Sequence, residues 1–161
     1  QLEDKSLPLY FSIPSGNFGN LTAGLFAKQM GLPITKIIAS TNANDVFTIY
    51  HQTGNYAPKQ STSTISNAMD VGNPSNFARM MDIYKNDLQN VKEEIAAYSF
   101  NDTQTADCIK EVYDKFNYII PFFIKWKYME SRTSKPLKIK DYFFLLMVTF
   151  LRLAFRFLLR Y

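Results

Sequence analysis

At 161 residues the chain has the length of one domain or part of a larger one, and its 47% hydrophobic residues suit a globular core. Its formal charge of +4 averages two unlike parts. Residues 1–118 hold nine Lys/Arg against twelve Asp/Glu, net −3, whereas residues 119–161 hold nine against Glu130 and Asp141, net +7, together with eleven aromatics. That break excludes reading the whole chain as a nucleic-acid binder. The single cysteine, Cys108, excludes an internal disulfide framework and fits a reducing cytoplasm.

The first residues, QLEDKSLPLYFSIP, place two acids ahead of an apolar run, which does not read as a secretory signal; lacking an initiator Met, the chain is expected to begin inside a longer protein. Leu7 to Ile13, with Pro8 near its start, reads as a short buried strand. A turn follows at Pro14–Asn20. Leu21, Leu25, Met30 and Leu32 then punctuate a helix that Asn20 could cap and Gly31 could end. Thr35–Thr41 is a second strand. Asn42–Asp45 supplies a cap for a helix running to about Gln52 and closed by Gly54. Strand, turn, helix and strand within 35 residues is a βαβ unit, so the sheet is expected to be parallel and covered on both faces.

Residues 58–76 are polar and broken by Gly and Pro, a long loop of the kind that carries function. Helices are expected at Phe77–Asn86, Asp87–Tyr98 and Asp102–Phe116, with Asp102 or Thr103 capping the last. No internal repeat is present.

The chemistry of the chain concentrates in SGNFGN, residues 15–20. A loop between a parallel strand and the following helix lies at the carboxyl edge of the sheet, where open α/β sheets bind ligands. The helix start offers unpaired N–H groups and partial positive charge. Gly16 and Gly19 allow close backbone approach, and Ser15, Asn17 and Asn20 add side-chain donors. Neither G-x-G-x-x-G nor GK[ST] occurs, which disfavours dinucleotide and Walker-type sites. A phosphate-type anion site and an ordinary glycine turn with a capping Asn both remain open on this ground. No metal site is read from the sequence.

Four stretches taken together carry more. PSGNFGNLTAGLFAKQMGLPI, ASTNANDVFTIYHQTGNY, STSTISNAMDVGNPSNFAR and IKEVYDKFNYI resemble, in order and spacing, the central part of threonine synthase, over about residues 9–119. The resemblance implies an α/β fold: a partial three-layer sheet of parallel βαβ units, a fragment of the fold-type-II pyridoxal-phosphate enzymes. It implies pyridoxal 5′-phosphate as cofactor and conversion of O-phospho-L-homoserine and water into L-threonine and phosphate. Ser15, Gly16, Asn17, Phe18, Gly19 and Asn20 match the loop that cradles the cofactor phosphate. Asn73, Ser75, Asn76 and Arg79 would meet the anionic substrate, a cation among neutral donors; alternatively Ser75 or Asn76 only caps the helix at Phe77 while Arg79 pairs with Asp82. Asn42, Asn44 and Asp45 match too, though helix capping is the expected role. His51, the only histidine, is read as a surface residue without partners, and Cys108 as a helix residue with no catalytic duty.

Two departures from the family qualify this expectation. The lysine that holds the cofactor as a Schiff base is expected upstream of the glycine loop, and neither Lys5 nor Lys28 stands in its surroundings, so no catalytic residue is assigned and the chain alone is expected to be inactive. After YDKFNYII the chain leaves the family. Residues 1–118 are therefore expected to form a partial cofactor-binding catalytic domain, and residues 119–161 a basic, aromatic tail that is frameshifted or divergent. Codons permitted for YMESRTSKPL, read one base early, allow a His-Gly followed by Val-Ala-Tyr-Leu-Gln-Ala, close to what the family has there. As a genuine segment, Tyr142–Leu159 would be an amphipathic helix with Arg152, Arg156 and Arg160 on one face, suited to a membrane surface. Two other readings stand beside the first: a related fold-type-II lyase or β-replacement enzyme, and a non-catalytic membrane-surface protein acting through that tail.

Overall fold

A computed structural model describes residues 8–117; the expectations for Lys5 and for the tail lie outside these residues. Strand β1 (Leu9–Pro14) leads through the glycine turn into helix α1 (Gly19–Gln29), which returns to strand β2 (Ile34–Thr41). Helix α2 (Val46–Thr53) follows, then the polar loop with one 3-10 turn at Asn67–Met69, helices α3 (Phe77–Ile83) and α4 (Leu88–Glu94), strand β3 (Ile95–Ser99) and helix α5 (Asp102–Phe116). The expected βαβ unit is present. The three strands lie in the order β1-β2-β3, all parallel, with Phe11 beside Ile37, Ile13 beside Ala39 and Ser40 beside Tyr98. Pairing on both sides buries β2 almost throughout, as a central parallel strand requires.

One apolar cluster joins the layers. Phe11, Ile13, Ile37 and Ala39 on the sheet meet Leu21 and Leu25 of α1, Phe47 and Tyr50 of α2, Met80 and Met81 of α3 and Val91 of α4. Each large side chain so buried is worth about 2 kcal/mol over its exposed state. Gly31 (φ 99°) and Gly54 (φ 80°) take the left-handed conformation that ends α1 and α2, in the closing role expected of them.

Four expectations are corrected. Asn20 does not cap α1: the helix begins at Gly19, and Phe18, left-handed at φ 61° and ψ 14°, occupies the cap position without a side-chain cap. Asn42, Asn44 and Asp45 do not cap α2. Asp45 holds that position but its Oδ1 accepts from Lys59 Nζ at 2.7 Å, and the two asparagines turn into the polar loop. The helix expected over Asp87–Tyr98 stops at Glu94, and its last four residues are strand. Asp87 caps α4 by accepting from the amides of Gln89 and Asn90, and at Ile95 (φ −118°, ψ 132°) the backbone passes straight into β3, where pairing with β2 overrides helix propensity. Helix α5 keeps its expected bounds, but its cap is Asn101, in a reciprocal capping box with Gln104, rather than Asp102 or Thr103.

Candidate functional site at the mouth of helix α1

The glycine turn leaves the sheet one residue after β1. Ser15 N donates to Ser40 O at 2.7 Å and Ser15 Oγ to Ile13 O at 2.8 Å, so this buried serine extends the strand pairing and its hydroxyl is turned inward. Beyond it the pairing stops. The amides of Gly16, Asn17, Phe18, Gly19 and Asn20 meet no acceptor among the described residues, and the intrahelical pattern begins with Thr22 N donating to Phe18 O at 2.9 Å. The first turn of α1 carries no acidic side chain to compete for those amides. Phe18 pins the turn from beneath: it is buried, with its ring edge-on to Phe47 at 4.9 Å.

The two glycines do different work. A Cβ on Gly16 would come within 2.9 Å of Met69 Cα, so this glycine lets the turn lie against the 3-10 segment. At Gly19 the nearest atom to such a Cβ is Asn76 Nδ2, 3.8 Å away, and the residue is exposed. The approach to the helix start is open there. Free amides in series, a positive helix end and unobstructed access fit a phosphate group.

The segment after the polar loop closes against this turn. Asn17 Oδ1 accepts from Ser75 N at 2.6 Å and from Ser75 Oγ at 3.0 Å, while Asn76 Nδ2 donates to Asn17 O at 2.9 Å. Arg79 Nη1 donates to Asn76 Oδ1 at 2.9 Å. Asn73 Oδ1 accepts from Tyr56 OH at 3.3 Å, and the Tyr56 ring stacks on Phe77 at 3.6 Å. The structure thus brings Ser75, Asn76 and Arg79 to the glycine turn, with Asn73 held through Tyr56. Asn76 precedes α3 without a side-chain cap, and Arg79 is held by Asn76 rather than Asp82. The capping alternative fails on both counts.

Behind the turn lies a network the sequence reading missed. Asn42 and Asn44 are buried, 1% and 4% exposed, on the chain leaving β2. Asn42 Nδ2 donates to Asp70 Oδ1 at 2.6 Å and to Thr64 Oγ1 at 2.9 Å. Asn44 Nδ2 reaches Thr62 O at 2.9 Å and Asp70 Oδ1 at 3.2 Å, and Asn44 Oδ1 accepts from Thr62 N at 2.7 Å. Asp70 also accepts from Thr64 N at 3.0 Å and Thr64 Oγ1 at 2.7 Å. An asparagine pair flanking a strand end, followed by a Thr-rich loop ending in Asp, is the signal that could have found it.

His51 has a partner after all. Its Nε2 lies 2.9 Å from Ile95 O, joining α2 to β3, and its ring packs beside Phe47. Burial holds its pKa below the ordinary 6.5; the hydrogen bond to Ile95 pulls upward, and the charges of Lys92 and Lys36 push down. It stands clear of the turn's hydrogen-bond network. Cys108 is buried within α5, as expected of a helix residue. Lys28 pairs with Glu94 at 3.2 Å near the far end of α1, and Glu94 accepts from Tyr84 OH at 3.0 Å. Burial and the Glu94 charge raise the Tyr84 pKa.

A parallel βαβ layer whose strand-to-helix turn presents free amides at a helix mouth defines the class of this α/β protein, and its backbone matches fold-type-II pyridoxal-phosphate enzymes. The crystal structure of threonine synthase from Escherichia coli superposes with a TM-score of 0.76 at 33% identity, covering 88% of this chain and 32% of that one. Pyridoxal-phosphate-bound threonine synthase from Brucella melitensis gives 0.75 at 26% identity, over 83% and 34%. Threonine synthase from Haemophilus influenzae is 45% identical over 104 residues, 65% of this chain and 24% of the relative. No family model matches. The chain is a homologue of threonine synthase, and spans about a quarter of the length of the curated relatives it matches.

Proposed function

We propose that this chain is the phosphate-cradling part of a threonine synthase, which converts O-phospho-L-homoserine and water into L-threonine and phosphate in the cytoplasm. The observation that carries this reading is the run of five acceptor-free amides, Gly16 to Asn20, at the open start of α1 in a homologue of that enzyme. Those amides would hold the phosphate of pyridoxal 5′-phosphate, with Ser15 shaping the turn from the strand side. When bound, that cofactor supplies the electron sink for a β,γ-replacement. The chain's own residues bind and orient. Asn17 Oδ1 is held by Ser75, which leaves Asn17 Nδ2 as a further donor beside the turn. Arg79, fixed by Asn76, brings a guanidinium toward an anionic substrate group, with Asn73 and Ser75 as neutral donors.

In this reading no proton-transfer residue and no cofactor-linked lysine is assigned among the described residues. Lys28 is committed to Glu94, and Lys59 to Asp45 at 2.7 Å. The cofactor-linked lysine belongs to another segment of the enzyme, and the chain alone is expected to release no phosphate from O-phosphohomoserine. Titrating the 15N-labelled chain with pyridoxal 5′-phosphate tests the reading directly. The amide resonances of Gly16–Asn20 should shift first, and inorganic phosphate should compete. If those amides stay unmoved while others respond, the proposal fails.

A further inference from the structure

We infer that Asn42, Asn44 and Asp70 form a positioning cluster that sets the shape of the phosphate-accepting turn without touching the ligand. The inference rests on the proposed phosphate site and deepens it. Two contacts connect the cluster to the turn. Asp70 directly follows Met69, whose Cα leaves no room for a Cβ on Gly16. Further along, the same loop delivers Ser75 and Asn76 onto the Oδ1 and carbonyl of Asn17. The turn is therefore braced on two sides by one polar loop, and among the described residues the turn makes no other side-chain hydrogen bond to that loop.

The cluster holds the middle of the loop, beside Ile65 N donating to Asp102 Oδ2 at 3.2 Å and Lys59 Nζ to Asp45 Oδ1 at 2.7 Å. A polar loop has little apolar surface to bury, so its placement depends on directed hydrogen bonds from residues that are themselves fixed. Asn42 and Asn44 meet that need. They follow the central strand and are buried. Asn44 N and Nδ2 both donate to Asn42 Oδ1 at 2.9 Å, so the pair presents its donors in one direction. The carboxylate they meet is Asp70, which accepts from Asn42, Asn44 and twice from Thr64. Four donor contacts on one carboxylate fix the chain position immediately beside Met69.

The arrangement predicts a reversal that no generic stability contribution would reproduce. N42D sets a second carboxylate 2.6 Å from Asp70 Oδ1, where an amide donor now stands. D70N is milder, because its amide oxygen can still face Asn42 while one bond to Thr64 N is lost. In N42D/D70N the polarity of the pair is exchanged. The new carboxylate at position 42 still accepts from Asn44, while the new amide at position 70 donates to that carboxylate and accepts from Thr64 N. The 3.2 Å contact from Asn44 Nδ2 to position 70 is lost, and that Asn44 amide keeps its bond to Thr62 O.

The test uses the full 161-residue chain. Pyridoxal 5′-phosphate is titrated with inorganic phosphate as competitor, following the amides of Gly16–Asn20 and the hydrogen-exchange protection of α4, whose Val91 is buried in the main core away from the loop. N42D is expected to weaken pyridoxal 5′-phosphate binding by about tenfold or more, the size of a lost charge-assisted hydrogen bond. D70N should do less, and the double variant should recover most of the affinity. Throughout, α4 should keep its protection, which a general loss of stability would lower. Should N42D not fold, T64V is read instead. It deletes one hydroxyl of the cluster and is expected to cost roughly threefold in affinity. Unchanged binding in N42D, or in T64V where N42D is unfolded, overturns the inference, as does a double variant no better than N42D. Absence of binding in the unsubstituted chain overturns the phosphate site itself.

Discussion

The glycine turn and the polar loop that braces it are built on opposite plans. The turn acts through its backbone. Five amides are free because the chain changes from strand to helix there, and Phe18 fixes it by filling a hydrophobic hole. The loop is tied to the sheet through side chains: Asn42 and Asn44, just after β2, hold its Thr62, Thr64 and Asp70. Its own backbone bonds, such as Met69 N to Ser66 O at 2.9 Å and Lys59 N to Gly72 O at 3.0 Å, stay within the loop. A backbone site tolerates side-chain change where the chain path is preserved. A side-chain network tolerates changes of path poorly and changes of polarity worse.

The largest effect is expected where the loop's path is tightest. A Cβ on Gly72 would fall on Lys59 O and crowd Ser61 N, all backbone. Gly72→Ala should therefore destabilise by about 3 kcal/mol, read from urea unfolding, because neither strand of the loop can step aside without releasing the other. Equal stability would mean that residues 59–61 and 72 are not held together. Next comes Gly16→Ala. The neighbour is the Met69 backbone, with Cα at 2.9 Å and C and O at 3.3 Å from the new methyl, so the turn or the loop must shift to admit it. A cost of about 2 kcal/mol is expected, with a larger fractional loss of pyridoxal 5′-phosphate affinity than of stability. If stability and affinity fell together, the turn and the loop would be one unit rather than two.

The two plans also explain what the sequence makes legible. The βαβ unit, the turn and the glycine closures of α1 and α2 can be read because each depends on local pattern: an apolar run, a Gly-x-x-Gly, a left-handed stop. Strand β3 cannot. Ile95–Ser99 follows α4 with no Gly or Pro between, and IAAYS suits a helix until Ile37–Thr41 offers it a partner. The asparagines mislead for a similar reason. Asn42 and Asn44 stand just before a helix, where capping is the local use of asparagine, but their loop partners are 18 to 28 residues away in sequence. The motifs around Gly16 and Ser75 stand out one by one in the sequence. Their mutual geometry does not, because the Asn17 bridge to Ser75 and Asn76 depends on tertiary closure across 58 and 59 residues.

His51 offers a smaller test, away from both regions. It is held below its ordinary pKa by burial, so the folded chain binds its proton less readily than the unfolded chain does. Stability is therefore undiminished above pH 6.5 and declines as pH falls through the window below it. In His51→Gln, which can still donate to Ile95 O, that part of the pH slope should disappear from the unfolding midpoint between about pH 5 and about pH 7. An unaltered slope would assign the acid sensitivity to other groups.

The smallest change in stability is expected at the other glycine, and it separates the two plans most cleanly. Gly19 is the first helical residue, exposed, with φ outside the left-handed region and no atom closer than 3.8 Å to a new methyl. Alanine there should leave stability within about 0.5 kcal/mol of the starting value, or raise it slightly through helix propensity. The methyl would nevertheless stand in the open approach to the free amides. Gly19→Ala should therefore weaken pyridoxal 5′-phosphate binding while the fold is unaffected, the reverse of what Gly72→Ala does through the loop. A Gly19→Ala chain that binds as before would show that the ligand does not enter over the helix start.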